Sequence, residues 1–174
     1  MAKVSIIVAP YDFKDETLRQ ALLLFGKKGI RHEILSLASG ECKGYHGHTV
    51  KQDGRADEFE PVYSDAILLV DGPGIESTRL YENRQLLDRL KAARDNKKVI
   101  AAVGNAIKAI AKANIIKGIK IANSEDAETK RLVGLYKGSL AEDQLVVDSG
   151  IISASDGSQM QALVDAVAEA IGVS

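Results

Sequence analysis

Three short segments of this chain mix hydrogen-bonding side chains or glycine into the ends of apolar runs: Pro10 to Glu16, Asp71-Gly72-Pro73-Gly74, and Gly104-Asn105-Ala106. Glycine at such places lets backbone amides come close to a ligand. Gly72-Pro73-Gly74 has the look of a phosphate-holding turn. It lacks the further glycine and the lysine of nucleotide motifs, however, and Asp71 beside it repels phosphate. Nucleotide binding is therefore not expected. Cys42, His46 and His48 offer thiolate and imidazole donors at close spacing, which is the chemistry of a metal site. With only three donors in a glycine-rich stretch, a bare hairpin is the better reading, and no metal or other cofactor is expected. His32 has no companion and reads as a structural or surface residue.

The elements that would carry these segments can be traced from hydrophobic spacing. Val4 to Ala9 is short, apolar and β-branched, which suits a strand buried on both faces. Pro10 and Tyr11-Asp12 break it. From Asp15, Leu18, Ala21, Leu22 and Phe25 recur at helical spacing, and Gly29 closes the helix. Ile30 to Leu37 is again strand-like, and Thr49-Val50-Lys51 follows the glycine-rich stretch as a short strand at a hairpin. Ala66 to Val70 and Lys98 to Val103 are further buried strands. A helix from Asn83 to Arg94 follows the first, with Leu86, Leu87 and Leu90 on one face; a helix from Ala106 to Ala113 follows the second. Ile119 to Ile121 leads into a polar segment through Lys130. Leu145-Val146-Val147 and Ile151-Ile152-Ser153 flank the turn Asp148-Ser149-Gly150, and Met160, Leu163, Val164, Val167 and Ile171 mark a last helix. Lys108, Lys112, Lys117 and Lys120 against Glu125, Asp126 and Glu128 read as a solvated face.

Alternating strands and helices, with strands apolar throughout, imply an α/β fold: a three-layer sandwich with a mainly parallel sheet, helices on both faces and one short antiparallel hairpin. No linker or repeat divides residues 1–174, so one domain is expected. Ligands of such sheets bind beyond the carboxyl ends of the strands, which gathers the three segments into one crevice.

Composition narrows the classes further. The chain has 174 residues, 45% hydrophobic and 27% charged, with 23 basic against 24 acidic side chains. A near-neutral balance argues against a nucleic-acid partner or a polybasic membrane arm. A single cysteine allows no internal disulfide and no four-cysteine zinc site. No apolar run approaches the ~18 residues of a membrane span, and the run after Met1-Ala2-Lys3 is too short for a signal-peptide core. These features imply a cytoplasmic globular protein with no membrane partner.

At the three junctions the chain resembles the DJ-1/PfpI superfamily, more closely its PfpI-like intracellular protease/amidase branch, over nearly its whole length. Tyr11-Asp12-Phe13-Lys14-Asp15-Glu16 is similar to the family's Asp-Gly-Phe-Glu-Asp-x-Glu segment, and Glu16 is taken as the family's buried active-site glutamate. Gly40 to Asp53, with Lys43 to Lys51 within it, is similar to a stretch of the form Thr-Gly-Lys-His-Gly-Tyr-x-Val-Lys-x-Asp. Asp65-Ala66-Ile67-Leu68-Leu69-Val70-Asp71-Gly72 resembles Asp-Ala-Leu-Val-Leu-Pro-Gly-Gly, Asn114 to Gly118 resembles Gly-Leu-Leu-Lys-Gly, and Val146-Val147-Asp148 resembles the Val-Val-Val-Asp-Gly strand and turn. The resemblance implies a flavodoxin-like sandwich and a homodimer or larger ring, with Gly40 to Asp53 near the subunit contacts.

The same resemblance implies a reactive cysteine at a strand-to-helix elbow, in Ala-Ala-Ile-Cys-His-Gly-Pro. This chain reads Ala101-Ala102-Val103-Gly104-Asn105-Ala106-Ile107, with Gly104 in the place of the cysteine and Asn105 in the place of the histidine. Asp71 stands for the first glycine of the Gly-Gly turn, and Ser153 to Gly157 replaces a Ser-Arg-x-Pro segment. A glycine has no nucleophile and an asparagine amide is no general base. Gly104 would relax a turn of positive φ, and Asn105 would cap the next helix. The expected function is a family member without its cysteine chemistry that binds a small molecule or acts in stress. Glu16 would then bond Asn105 or nearby amides, or would form a ligand site with Gly72, Gly104 and Asn105. The alternative is a hydrolase or amidase working through Glu16 with water, Ser153 or Ser155.

Overall fold

The computed structural model describes residues 1–173. In chain order, β1 (Lys3–Ile7) and the short β2 (Tyr11–Phe13) precede α1 (Asp15–Lys27). β3 (Arg31–Ser36), β4 (Glu41–Gly44), β5 (Thr49–Lys51) and β6 (Gly54–Arg55) follow. Next come β7 (Ala66–Leu69), the one-turn α2 (Gly74–Ser77), α3 (Arg84–Asp95), β8 (Val99–Val103) and α4 (Ile107–Lys112). β9 (Lys120–Ile121), α5 (Ala127–Leu135), β10 (Ser139–Leu140), β11 (Leu145–Asp148), β12 (Ile151–Ala154) and α6 (Met160–Ala170) complete the fold.

A seven-stranded sheet of order β11-β12-β8-β7-β1-β3-β6 forms the middle layer. Every neighbouring pair is parallel except β11 with β12. The strands read as unbroken apolar runs because both of their faces are covered. In β7, Ala66 and Leu68 enter the core beneath α1 and α6, while Ile67 and Leu69 enter the core beneath α3, α4 and α5. β8 divides the same way, Val99, Ala101 and Val103 to one side and Ile100 and Ala102 to the other. This period of two is the pleat of the strand. The antiparallel β11–β12 pair turns at Ser149 and Gly150, both with positive φ. Two such residues in a row match the twist of a two-residue hairpin.

Two small sheets decorate this frame. β2 pairs with β4, and β4 forms the expected hairpin with β5. Asp15, in the first turn of α1, accepts the amides of His46 (2.8 Å) and His48 (3.0 Å) and so fastens the hairpin tip to the body. Burial works against its charge, yet these amides hold its carboxyl below the usual range. β9 and β10 form the other small sheet.

One helix departs from the sequence reading. The polar segment through Lys130 contains the start of α5, which Asp126 caps by accepting the Thr129 amide at 2.9 Å. Leu132 and Val133 bury its inner face. The stretch looked polar because its capping and solvent-facing residues outnumber that narrow apolar stripe. No helix among the described residues is long and apolar enough to cross a membrane.

Candidate functional site

β1 has β3 on one side and β7 on the other, so the chain changes direction across the sheet between β1 and β7. A crevice opens beyond the carboxyl ends of strands at such a switch point. Here it is a cleft of about 470 Å³ that brings together Lys14, Asp71, Gly72, Gly104, Asn105 and, from the far end of β12, Ser155. The three junctions expected to meet therefore do meet, although from the first of them only Lys14 reaches the cleft.

Close backbone approach builds its floor. A side chain at Gly72 or Gly74 would run into the backbone of residues 11–14. The Lys14 amide donates to the Asp71 carbonyl at 2.9 Å. Asn105 ties the elbow to the same loop: its Oδ1 accepts the Gly72 amide at 3.1 Å and its Nδ2 donates to the Gly72 carbonyl at 2.8 Å. This corrects the capping role expected of Asn105, since its carboxamide is spent across the cleft and α4 starts without a side-chain cap. The cross-bracing could not be read from spacing, because the two residues lie 33 positions apart.

Gly104 has φ +54°, the left-handed conformation expected of it. Its neighbour is the side chain of Asp71: a Cβ placed on Gly104 would lie 3.0 Å from Asp71 Oδ2 and 3.1 Å from Asp71 Cβ. Asp71 is only 2% exposed. Its Oδ2 lies 3.6 Å from the Lys14 ammonium, which reaches in from solvent. Its Oδ1 is buried with no hydrogen-bond partner. Burial pushes the Asp71 carboxyl above the usual carboxylate range; the Lys14 charge and then the Thr17 hydroxyl offset this only in part.

A sequence model of the DJ-1/PfpI family matches residues 2–170. The chain belongs to the DJ-1/PfpI family. It is 31% identical over 155 residues to the uncharacterized protein MJ0967 of Methanocaldococcus jannaschii, covering 88% of this chain and 74% of that one. It is 28% identical over 115 residues to the deglycase TK1284 of Thermococcus kodakarensis, covering 66% and 68%. Among solved structures, the ThiJ/PfpI domain protein of Brachyspira murdochii superposes with a TM-score of 0.90 at 20% identity, covering 98% of this chain and 96% of the other. That likeness carries the flavodoxin-like fold.

On this DJ-1/PfpI scaffold Glu16 does not stand where the sequence reading put it. Its side chain is 61% exposed on the outer face of α1, bonded to Arg19 and Gln20, and it does not line the cleft. Those partners hold its carboxyl below the usual range. When the motif is laid on Phe13 and Asp15, its last glutamate falls on Thr17, which is buried next to Gly157. Glu16 therefore bonds neither Asn105 nor the amides near Gly104. Nor does it activate a serine: Ser153 is buried and its Oγ accepts the Ala122 amide at 2.8 Å, while Ser155 lies across the cleft.

The wall of the cleft holds a second buried charge. Lys108 is 0% exposed, so it is not part of a solvated face. Its ammonium bonds Glu76, lies 3.3 Å from Asp126, and sits 5.4 Å from the centre of the Tyr81 ring. Burial opposes the Lys108 charge, but the Glu76 carboxylate and then Asp126 outweigh it and raise its pKa. The signal was available: Ile107, Ala109, Ile110 and Ala111 make α4 apolar all round, and such a helix is buried on every side. The hairpin residues separate, with Cys42 buried in the core and His46 and His48 exposed.

Proposed function

We propose that this DJ-1/PfpI protein works without the family resemblance's cysteine chemistry, as a binder of a small molecule in the cleft above Gly104. The observation that carries the reading is the fit of Asp71 against Gly104: the carboxylate crowds the side-chain space at the elbow. Thiol chemistry needs a thiolate, and a carboxylate at that distance disfavours one. Asn105 offers no base, and its amide is held by Gly72. On the resemblance these are one linked departure, Asp71 in the place of a glycine and Gly104 in the place of the cysteine. The hydrolase alternative lacks support, since Glu16 is bonded to Arg19 and Gln20 on the exposed face of α1 and does not line the cleft.

Turnover of methylglyoxal and a peptide-amide panel tests this directly, and none is expected. Turnover by the unaltered protein would overturn the reading. Gly104→Cys alone is expected to give a sluggish thiol and a less stable fold, because the new Cβ is crowded by Asp71 and held at positive φ, at a strain of about 1–3 kcal/mol. Gly104→Cys combined with Asp71→Gly is expected to alkylate with iodoacetamide faster than the single variant. Equal rates would remove the linkage. Self-association belongs to the same proposal, with the exposed Tyr11 and Tyr45 as apolar surface for it. Sedimentation equilibrium showing only monomer would remove that part.

A further inference from the structure

The charges around the cleft are unequal. Glu76 and Asp126 face it and are only half balanced by the one ammonium of Lys108 in the wall behind. Asp71, Glu125 and Asp156 remain against the single ammonium of Lys14. Among these acids Asp71 differs in kind. It is the one described residue with a buried side-chain polar atom lacking a partner, and it lies in the cleft floor. A carboxylate oxygen withdrawn from water without a donor is costly, and the cost is recovered when a donor arrives.

Two classes of ligand fit poorly. An anion would meet the excess negative charge at close range. A tightly held metal ion needs several converging ligands, and no group of three or more His, Cys, Asp or Glu among the described residues is placed to hold one. A group that carries both positive charge and N–H donors supplies what Asp71 Oδ1 lacks, in the stronger, charge-assisted form of the bond.

From this geometry we infer that the cleft takes a small organic cation, an ammonium or guanidinium group that donates a hydrogen bond to the Asp71 carboxylate once a turn of the side chain brings its unpartnered oxygen to the cleft, with Glu125 and Asp156 providing a favourable field. The inference rests on the binding reading above and names its ligand class. Lys14 is the internal competitor, since its ammonium already leans on Oδ2.

Titration of amide NMR spectra with four probes tests it: n-butylammonium, methylguanidinium, 1-butanol and butyrate. The two cations are expected to shift the Gly72, Gly104 and Asn105 amides saturably, and to bind about tenfold tighter than the neutral and anionic probes. Asp71→Asn should weaken the cations by about tenfold. Lys14→Met, at a side chain reaching in from solvent, should tighten them about threefold. If butanol or butyrate saturates the same amides as well as the cations do, the cation class is wrong while the binding reading stands. Calcium chloride shifting those amides at lower concentration than butylammonium would also overturn it, as would cation binding indifferent to both variants. If none of the four organic probes shifts the cleft amides, both the inference and the binding reading fall.

Discussion

Two buried charges adjoin the same crevice, one in its floor and one behind its wall, and they are held in opposite ways. Lys108 in the wall is fully enclosed yet fully answered: two carboxylates and an aromatic face surround its ammonium, and both carboxylates keep contact with water. Asp71 in the floor is almost as enclosed, but its Oδ1 has no partner, and Lys14 at 3.6 Å from Oδ2 and the Thr17 hydroxyl offset its burial only in part. A buried ion with its hydrogen bonds complete stabilises by position and packing. A buried ion left incomplete is a local cost that the rest of the fold must carry. Lys108 thus belongs to the architecture of the cleft, and Asp71 to its use.

The largest effect that would test this contrast is at Lys108. Lys108→Ala is expected to destabilise by about 2–4 kcal/mol in urea unfolding, losing packed methylenes as well as the charge. Lys108→Met should recover most of that, because the stem is kept and Glu76 and Asp126 can turn to water. If methionine proves as harmful as alanine, the ion pairs and not the packing hold the wall. Next is Asn105→Ala, which should cost about 2 kcal/mol for two lost hydrogen bonds to Gly72. Exchange of the Asp71, Gly72 and Gly74 amides should quicken, which would show that neutral bonds, not the Asp71 charge, hold the floor in place.

Asp71→Asn should have a smaller effect of the opposite sign, a gain of about 1 kcal/mol at alkaline pH. Because burial raises the Asp71 pKa, the folded state binds this proton more tightly than the unfolded chain. The wild-type protein therefore loses stability as pH rises from the unfolded pKa through the folded one. The advantage of asparagine should grow over that rise and vanish in acid; unfolding curves at several pH values would reveal it. A loss of stability at every pH would mean that Lys14 completes the aspartate after all. The smallest effect is at Glu16→Gln, within about 0.5 kcal/mol and without influence on cleft ligands, as suits an exposed helix pair. A change in ligand response there would reopen a role for the outer face of α1.

The sheet could be read from the chain because its strands have a simple cause: burial on both faces makes runs such as Ala66 to Leu69 and Val99 to Val103 apolar throughout. The meeting of Asp71 to Gly74 with Gly104 and Asn105 followed from the parallel order alone. Glu16 failed for a reason that the same helix could have exposed. With Leu18, Ala21 and Phe25 inward, position 17 lies four residues before Ala21 on their face, whereas position 16 lies with Gln20 on the outside. Thr17 is buried accordingly and Glu16 is exposed. The unpaired oxygen of Asp71, its fit against Gly104 and the Asn105 brace were not legible, since each depends on distances across loops far apart in sequence.

The one thiol of the chain gives the hairpin a built-in reporter. Cys42 is wholly buried in β4, and burial raises its pKa, with the Ser36 hydroxyl offsetting only part of that. A reagent such as dithionitrobenzoate can reach this sulfur only after β4 and β5 part from the core, so labelling under native conditions times that opening. Residues 41–51 can therefore be followed separately from the cleft, with no engineered probe and no risk of an intramolecular crosslink.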